Sequence, residues 1–307
     1  MLSRKQKIIL KKLFSIFSVV RGYNIAVVVL AQYLASIFIF GSHLRALDVV
    51  LNFQLFLIIL SSSFAIASGY IINNFYDSEK DLINRPNKYN IDRFVSKATQ
   101  FKIYFALNFL SAGLAFVVSW RAAVFISVYI FLIWFYSHKL KKFPIIGNLT
   151  ASLLVVLPFF EILMYFKNFS FGIFVHAAFL YLIILIREMV KDLENLPGDF
   201  ANNYQTIPVR FGIKTAKRII TFLTILTVVP GMILIQYFEI GYMAYYFYFS
   251  LIMLMIFLVQ LWQSKTKKAY NALHVSLKLL LILGILSIAL INPKVILHGK
   301  ELIEPLI

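Results

Sequence analysis

The sequence predicts an all-α fold, a polytopic membrane helical bundle of nine transmembrane helices built as two four-helix half-repeats plus a ninth helix. Three observations predict it. Of 307 residues, 61% are apolar and 14% charged, against roughly 45–50% and 25% in soluble domains. Apolar runs near one bilayer length, about 20 residues, recur along the chain. Of the 30 basic residues, 24 gather in the N-terminal tail and in or beside every second connection between those runs. Long continuous runs exclude a transmembrane barrel, whose strands are short and alternating. With no cysteine, there is no disulfide framework, thiolate zinc site or cysteine nucleophile. A net charge of +17 on a soluble chain would point to nucleic acid. On this one it reports the positive-inside bias and contact with anionic lipid headgroups, so no nucleic-acid partner is expected.

The elements follow in order. Arg4, Lys5, Lys7, Lys11 and Lys12 mark residues 1–13 as a basic cytoplasmic tail. Span one, about 15–40, is too long for a signal peptide and lacks a small-residue cleavage site, so it is retained. Span two, about 49–72, precedes a loop carrying Lys80, Arg85, Lys88, Arg93, Lys97 and Lys102. Spans three and four, about 100–119 and 122–137, are joined across Trp120–Arg121. Lys139, Lys141 and Lys142 follow, and Pro144 opens span five, about 144–166. Span six covers about 171–190, and Pro197 with Gly198 is expected to end its helix. Spans seven, eight and nine lie at about 217–237, 242–262 and 275–292. The basic loops put the N-terminus inside and the C-terminus outside. The expected organisation is a transmembrane domain at 14–295 and a short non-cytoplasmic tail at 296–307.

Eight of the 13 acids fall in two loops on the basic side. In NNFYDSEKD, Asn73, Asp77 and Asp81 stand at i, i+4 and i+8, one helical face if span two continues. In REMVKDLENLPGD, Glu188 and Asp192 repeat the i, i+4 step, Asn195 lies on the same stripe, and Asp199 lies beyond the proline. The clusters are offset by 115 residues, as related halves would be. Asp92 shares the first loop but not its stripe and reads as an ordinary loop acid. Glu161, near the outer end of span five, reads as an interfacial snorkelling acid.

Two carboxylate stripes at one membrane face repel each other unless a positive group sits between them. A few oxygen ligands in an incomplete cage suit Mg²⁺, which completes its shell with water and substrate phosphates. Nearby Lys and Arg neutralise the remaining phosphate oxygens. The expected ligand is a polyprenyl diphosphate, its head in the loops and its tail between the helices.

In this order of motifs the chain resembles the UbiA superfamily of intramembrane prenyltransferases. Asn73, Asp77 and Asp81 are followed by Asn84–Arg85–Pro86, then by YSHKLKK with Tyr136 and Lys141. Pro144, Gly147 and Asn148 open span five, and KDLENLPGD and TIPVRFG follow span six. The resemblance covers about 15–292. It implies that Mg²⁺ and basic residues draw off diphosphate and leave an allylic cation for an acceptor to attack. Asn73, Asp77, Asp81, Asp192, Asn195 and Asp199 become the expected metal ligands, although the second motif often carries a third aspartate where this chain has Asn195. Arg85, Tyr136 and Lys141 join the aspartates as expected catalytic groups. Arg21, Asn24, Asn148, Lys139 and Lys191 are expected to bind substrate. The second motif looks most like the branch acting on geranylgeranylglyceryl phosphate, with an aromatic quinone precursor as the alternative acceptor. A transporter is the competing class, but its charges would sit near the midplane rather than at one interface. No obligatory protein partner is implied, only membrane lipids and the two substrates.

Overall fold

The computed structural model describes residues 3–297. Among these, nine helices are long and apolar enough to cross a membrane. Ahead of them lies α1 (Arg4–Val19), started by a capping box in which Ser3 and Gln6 bond reciprocally. The first span therefore begins at Gly22 rather than near residue 15. Residues 4–19 form a separate helix with Leu10, Leu13, Phe14 and Phe17 exposed along one side. Arg21 (φ 50°) turns the chain into α2 (Gly22–Ala35), which continues as a π-turn over Ser36–Phe40. Residues 298–307, most of the expected outer tail, lie outside the described residues.

After the short α3 (Ala46–Val50), α4 (Phe53–Tyr76) is the most buried span of the first half. Its small polar residues bind neighbours inside the apolar layer. Ser61 donates to the Ser111 carbonyl at 2.8 Å, and Gln32 on α2 donates to Ser62 at 3.0 Å. Such bonds hold helices together where burial of apolar groups gives no net drive. Two short helices, α5 (Ser78–Asn84) and α6 (Pro86–Asp92), then lie across the polar end of the bundle. The hairpin α7 (Lys97–Val118) and α8 (Trp120–His138) turns at Ser119, whose side chain caps α8.

In α9 (Ile146–Phe166), Pro158 lacks the N–H that would bond the Leu154 carbonyl. Tyr129 on α8 replaces it, donating to that carbonyl at 3.0 Å. Glu161 does not snorkel: it is 4% exposed and neither carboxyl oxygen has a hydrogen-bond partner. The second half contains α10 (Phe171–Ala201), α11 (Ile207–Tyr237), α12 (Met243–Gln263) and α13 (Lys267–Ser287). At Gly212 (φ 82°) α11 kinks, which the absence of a Cβ permits. The two halves keep separate cores, one around Ile71, Ile126 and Tyr129, the other around Ile183, Ile220 and Phe247.

Candidate active site

A polar cavity of about 50 Å³ lies at the end of the bundle where α4, α8, α9 and α10 meet α5. Helix α4 ends at Tyr76, but the backbone stays in register: Asp77 N–H bonds Asn73, and Asp81 N–H bonds Asp77 at 2.8 Å. Asn73, Asp77 and Asp81 therefore line the cavity together, as their spacing predicts.

The second stripe corrects the sequence reading. Pro197 and Gly198 do not end the helix; α10 runs through them to Ala201. Asn84 docks there, its Nδ2 donating to the Asn195 carbonyl at 3.1 Å and its Oδ1 accepting from Gly198 N–H at 3.3 Å. A Cβ on Gly198 would press into the Asn84 amide, so an alanine there would force Asn84 out of this position. Continuation of the helix puts Asp192, Asn195 and Asp199 on one face, at i, i+3 and i+7. Asp192 and Asn195 line the cavity, while Asp199 sits behind it, 1% exposed.

Cations join the stripes. Lys141 donates to Asp77 Oδ1 at 2.7 Å and to Asn73 Oδ1 at 3.0 Å. The Lys80 ammonium lies 3.5 Å from Asp77 and 3.3 Å from Asp199, bridging the two motifs. Tyr204 donates to Asp77 Oδ1 at 3.1 Å, and its ring lies 4.4 Å from the Lys80 ammonium. Burial pushes the Asp77 carboxyl up, but Lys80 and Lys141 outweigh it and hold the group well below the usual carboxylate range. Burial alone would lower Lys80; Asp77 and Asp199 hold it above the usual ammonium range instead. Burial, then the Asp77 charge, pushes the Tyr204 hydroxyl up.

The remaining expected residues divide. Arg21, Arg85, Tyr136, Asn148 and Lys191 all line the cavity. Asn148 donates to Asp192 Oδ2 at 2.7 Å, Lys191 pairs with Glu188 at 2.6 Å, and Arg85 lies 3.6 Å from Glu194. Two do not join them. Asn24 donates to the Tyr70 hydroxyl at 3.3 Å, away from the cavity. Lys139 is exposed, because the 3₁₀ turn Leu140–Lys142 aims Lys141 inward and leaves Lys139 outside. Sequence reasoning passed over Lys80 as a loop charge and missed Tyr204, which belongs to no motif.

Asp92 is not an ordinary loop acid. It is 5% exposed and accepts from Ser18 of α1 at 2.8 Å and from Lys88 at 2.6 Å. Lys88 also donates to Asn74 at 2.7 Å and reaches Asp81 at 3.4 Å.

The donor set bears on a metal. Among the described residues no three His, Cys, Asp or Glu side chains cluster as a cage. The carboxylates come one or two at a time beside amide oxygens, and the Asn195 Oδ1 is buried without a partner. That set fits Mg²⁺, which needs few protein ligands when phosphate and water supply the rest.

Residues 29–282 match the UbiA prenyltransferase family. The chain belongs to that family. It is therefore a prenyltransferase and an integral multi-pass membrane protein. A relative is the digeranylgeranylglyceryl phosphate synthase of Methanosphaera stadtmanae, 29% identical over 68% of this chain and 73% of that one. Two solved structures share the UbiA fold. A digeranylgeranylglyceryl phosphate synthase gives a TM-score of 0.68 at 21% identity, covering 90% of this chain and 97% of that one. A UbiA homolog from Archaeoglobus fulgidus bound to GPP and Mg²⁺ gives 0.64 at 16% identity, covering 90% and 99%.

Proposed function

We propose that this UbiA-family chain transfers a prenyl group from a polyprenyl diphosphate to geranylgeranylglyceryl phosphate, with Mg²⁺, at the cavity between α4 and α10. The observation that carries the site is the pair of oxygen-rich stripes facing each other across that cavity. The acceptor rests on the name of the Methanosphaera stadtmanae relative.

Asn73, Asp77 and Asp81 would hold metal on one side, and Asp192 and Asn195 on the other; Asp199, behind the cavity and bonded to Lys80, would join them only by releasing that cation. Bound magnesium supplies Lewis acidity and positive charge to the diphosphate. Arg85, Lys80, Lys141 and Lys191 face the same space and stabilise charge on phosphate oxygens as it builds. The bond between C1 and the bridging oxygen breaks, and the diphosphate leaves with the electron pair. The acceptor hydroxyl oxygen then bonds the allylic C1 and releases its proton to water. Tyr136 lines the cavity where the cation forms, and an aromatic ring there would stabilise it. A second, apolar cavity of about 120 Å³, lined by Phe159, Phe160, Leu180 and Ile183, offers room for hydrocarbon.

The test is mass spectrometry of products after the purified protein is offered prenyl diphosphates with a mixed acceptor pool. A doubly prenylated glyceryl phosphate is expected. Exclusive prenylation of an aromatic acceptor would overturn the acceptor assignment.

A further inference from the structure

Helices α10 and α13 pack side by side and run in opposite directions. Glu194 on α10 meets His274 on α13 at 2.9 Å. Four residues deeper along α13, about 6 Å, comes Lys278; seven residues deeper along α10, about 10 Å, comes Arg187. Both cations thus enter one stretch of the seam, inside spans that reach from Lys267 to Leu290 and from Phe171 to Ala201. A charge at such depth is costly and needs a purpose.

Neither cation is fully satisfied by the protein. Among the described residues Lys278 has no carboxylate partner, only the Tyr23 ring 4.2 Å away. Arg187 pairs with Glu188 Oε1 at 3.4 Å while Lys191 holds Oε2, and the Arg187 Nε remains buried with no acceptor. Tyr23 places this seam at the first turn of α2, whose N-cap Arg21 provides no side-chain bond to the turn's N–H groups. Arg21, two residues before Tyr23, lines the polar cavity, with its guanidinium 5.1 Å from the Tyr70 ring. Deeper still lies the apolar cavity, walled by the same three helices through Ile183 and Leu281, one turn on, and Ala31, two turns on.

We propose that Arg187 and Lys278, with Arg21 at the start of α2, form a second anion site that holds the phosphate of an amphiphilic lipid acceptor. Its hydrocarbon enters the apolar cavity, and its hydroxyl points up toward the carboxylates. This site is separate from that for the leaving diphosphate and rests on the acceptor assignment above. It explains why Lys278 lies below the carboxylate stripes, with Arg187 at their lower edge beside Glu188, rather than among the interfacial lysines.

The experiment compares wild type, Arg187→Gln, Lys278→Gln and Lys278→Arg. Loss of a charge-assisted contact should raise the KM for geranylgeranylglyceryl phosphate about tenfold or more in each Gln variant. The KM for prenyl diphosphate should stay within about twofold, and Lys278→Arg should recover most of the loss. Unchanged acceptor KM, or equal rises in both KM values, would overturn the proposal. Thermal unfolding decides independently of turnover, and so covers a Gln variant that folds poorly. Wild type should gain more Tm from geranylgeranylglyceryl phosphate than from phosphate-free geranylgeranylglycerol or inorganic phosphate, and the Gln variants should lose that difference. Equal gains from both lipids in wild type would overturn the site. A phosphate-dependent gain without prenyl transfer would leave the site standing and overturn the acceptor assignment instead.

Discussion

Asn84 clasps the backbone at Gly198, accepting its N–H at 3.3 Å while donating to the Asn195 carbonyl at 3.1 Å. The two bonds run in opposite senses, which fixes which end of the amide is which. Through them the loop after the first acidic motif is fastened to the helix carrying the second. Gly198→Ala puts a methyl into the Asn84 amide and should cost about 1–3 kcal/mol. Asn84→Ala removes the clashing group. The double variant should therefore be less destabilised than the sum of the singles, as thermal unfolding in detergent will show.

Asp77→Asn and Asp192→Asn each remove one charge at nearly constant volume. Turnover should fall by roughly 10² or more in each, the scale of losing one preorganised electrostatic group. Exhaustive chelation should abolish activity, and Mg²⁺ should restore it. Full activity after chelation would contradict the metal assignment.

Lys80 is the shared cation of Asp77 and Asp199; in Lys80→Gln Asp77 keeps Lys141 and Tyr204, but buried Asp199 is left without a cation. The loss should be about 3 kcal/mol, partly recovered by adding Asp199→Asn. The pH dependence has a definite sign. Asp77 is held below its ordinary range, so its contribution is present above about pH 4 and disappears as pH falls. Lys80 is held above its ordinary range, so its contribution is present below about pH 10 and disappears as pH rises further. The Tm gap between wild type and Lys80→Gln should stay flat from about pH 5 to 9. A steady drift inside that window would count against the bridge.

The basic loops predict an orientation. Tags at residues 1 and 307 should be protected on opposite sides of the membrane, with residue 1 and the acidic stripes on the cytoplasmic side. Labelling of both ends from one side would contradict nine crossings.

Much of this architecture was legible because hydropathy and i, i+4 spacing are local signals. The stripe of Asn73, Asp77 and Asp81 survives a break in the helix because the Asp81 N–H still finds the Asp77 carbonyl. The misread features depend on tertiary contact. Pro197 with Gly198 reads as a helix end until Asn84, more than a hundred residues earlier, is seen bonded there. Lys80 is one of many loop charges until folding brings Asp199 to it. Lys139 and Lys141 are indistinguishable by composition, and a single 3₁₀ turn sorts them. Glu161 resembles an interfacial acid only if α9 faces lipid at that turn, and at that turn it does not.

Asp92 is where the edge of the molecule and its centre become one mechanical piece. It is held by Ser18 on one side and Lys88 on the other, and Lys88 reaches on to Asp81. Shortening the chain to residue 20, or loading its first turns with a bulky fusion, would therefore be no cosmetic edit. Trimming should slacken the ligand set some distance away and raise the Mg²⁺ requirement, with Asp92→Asn reproducing the defect in the intact protein. For anyone preparing this enzyme, the leading helix is a working component, and a purification handle belongs at the other end.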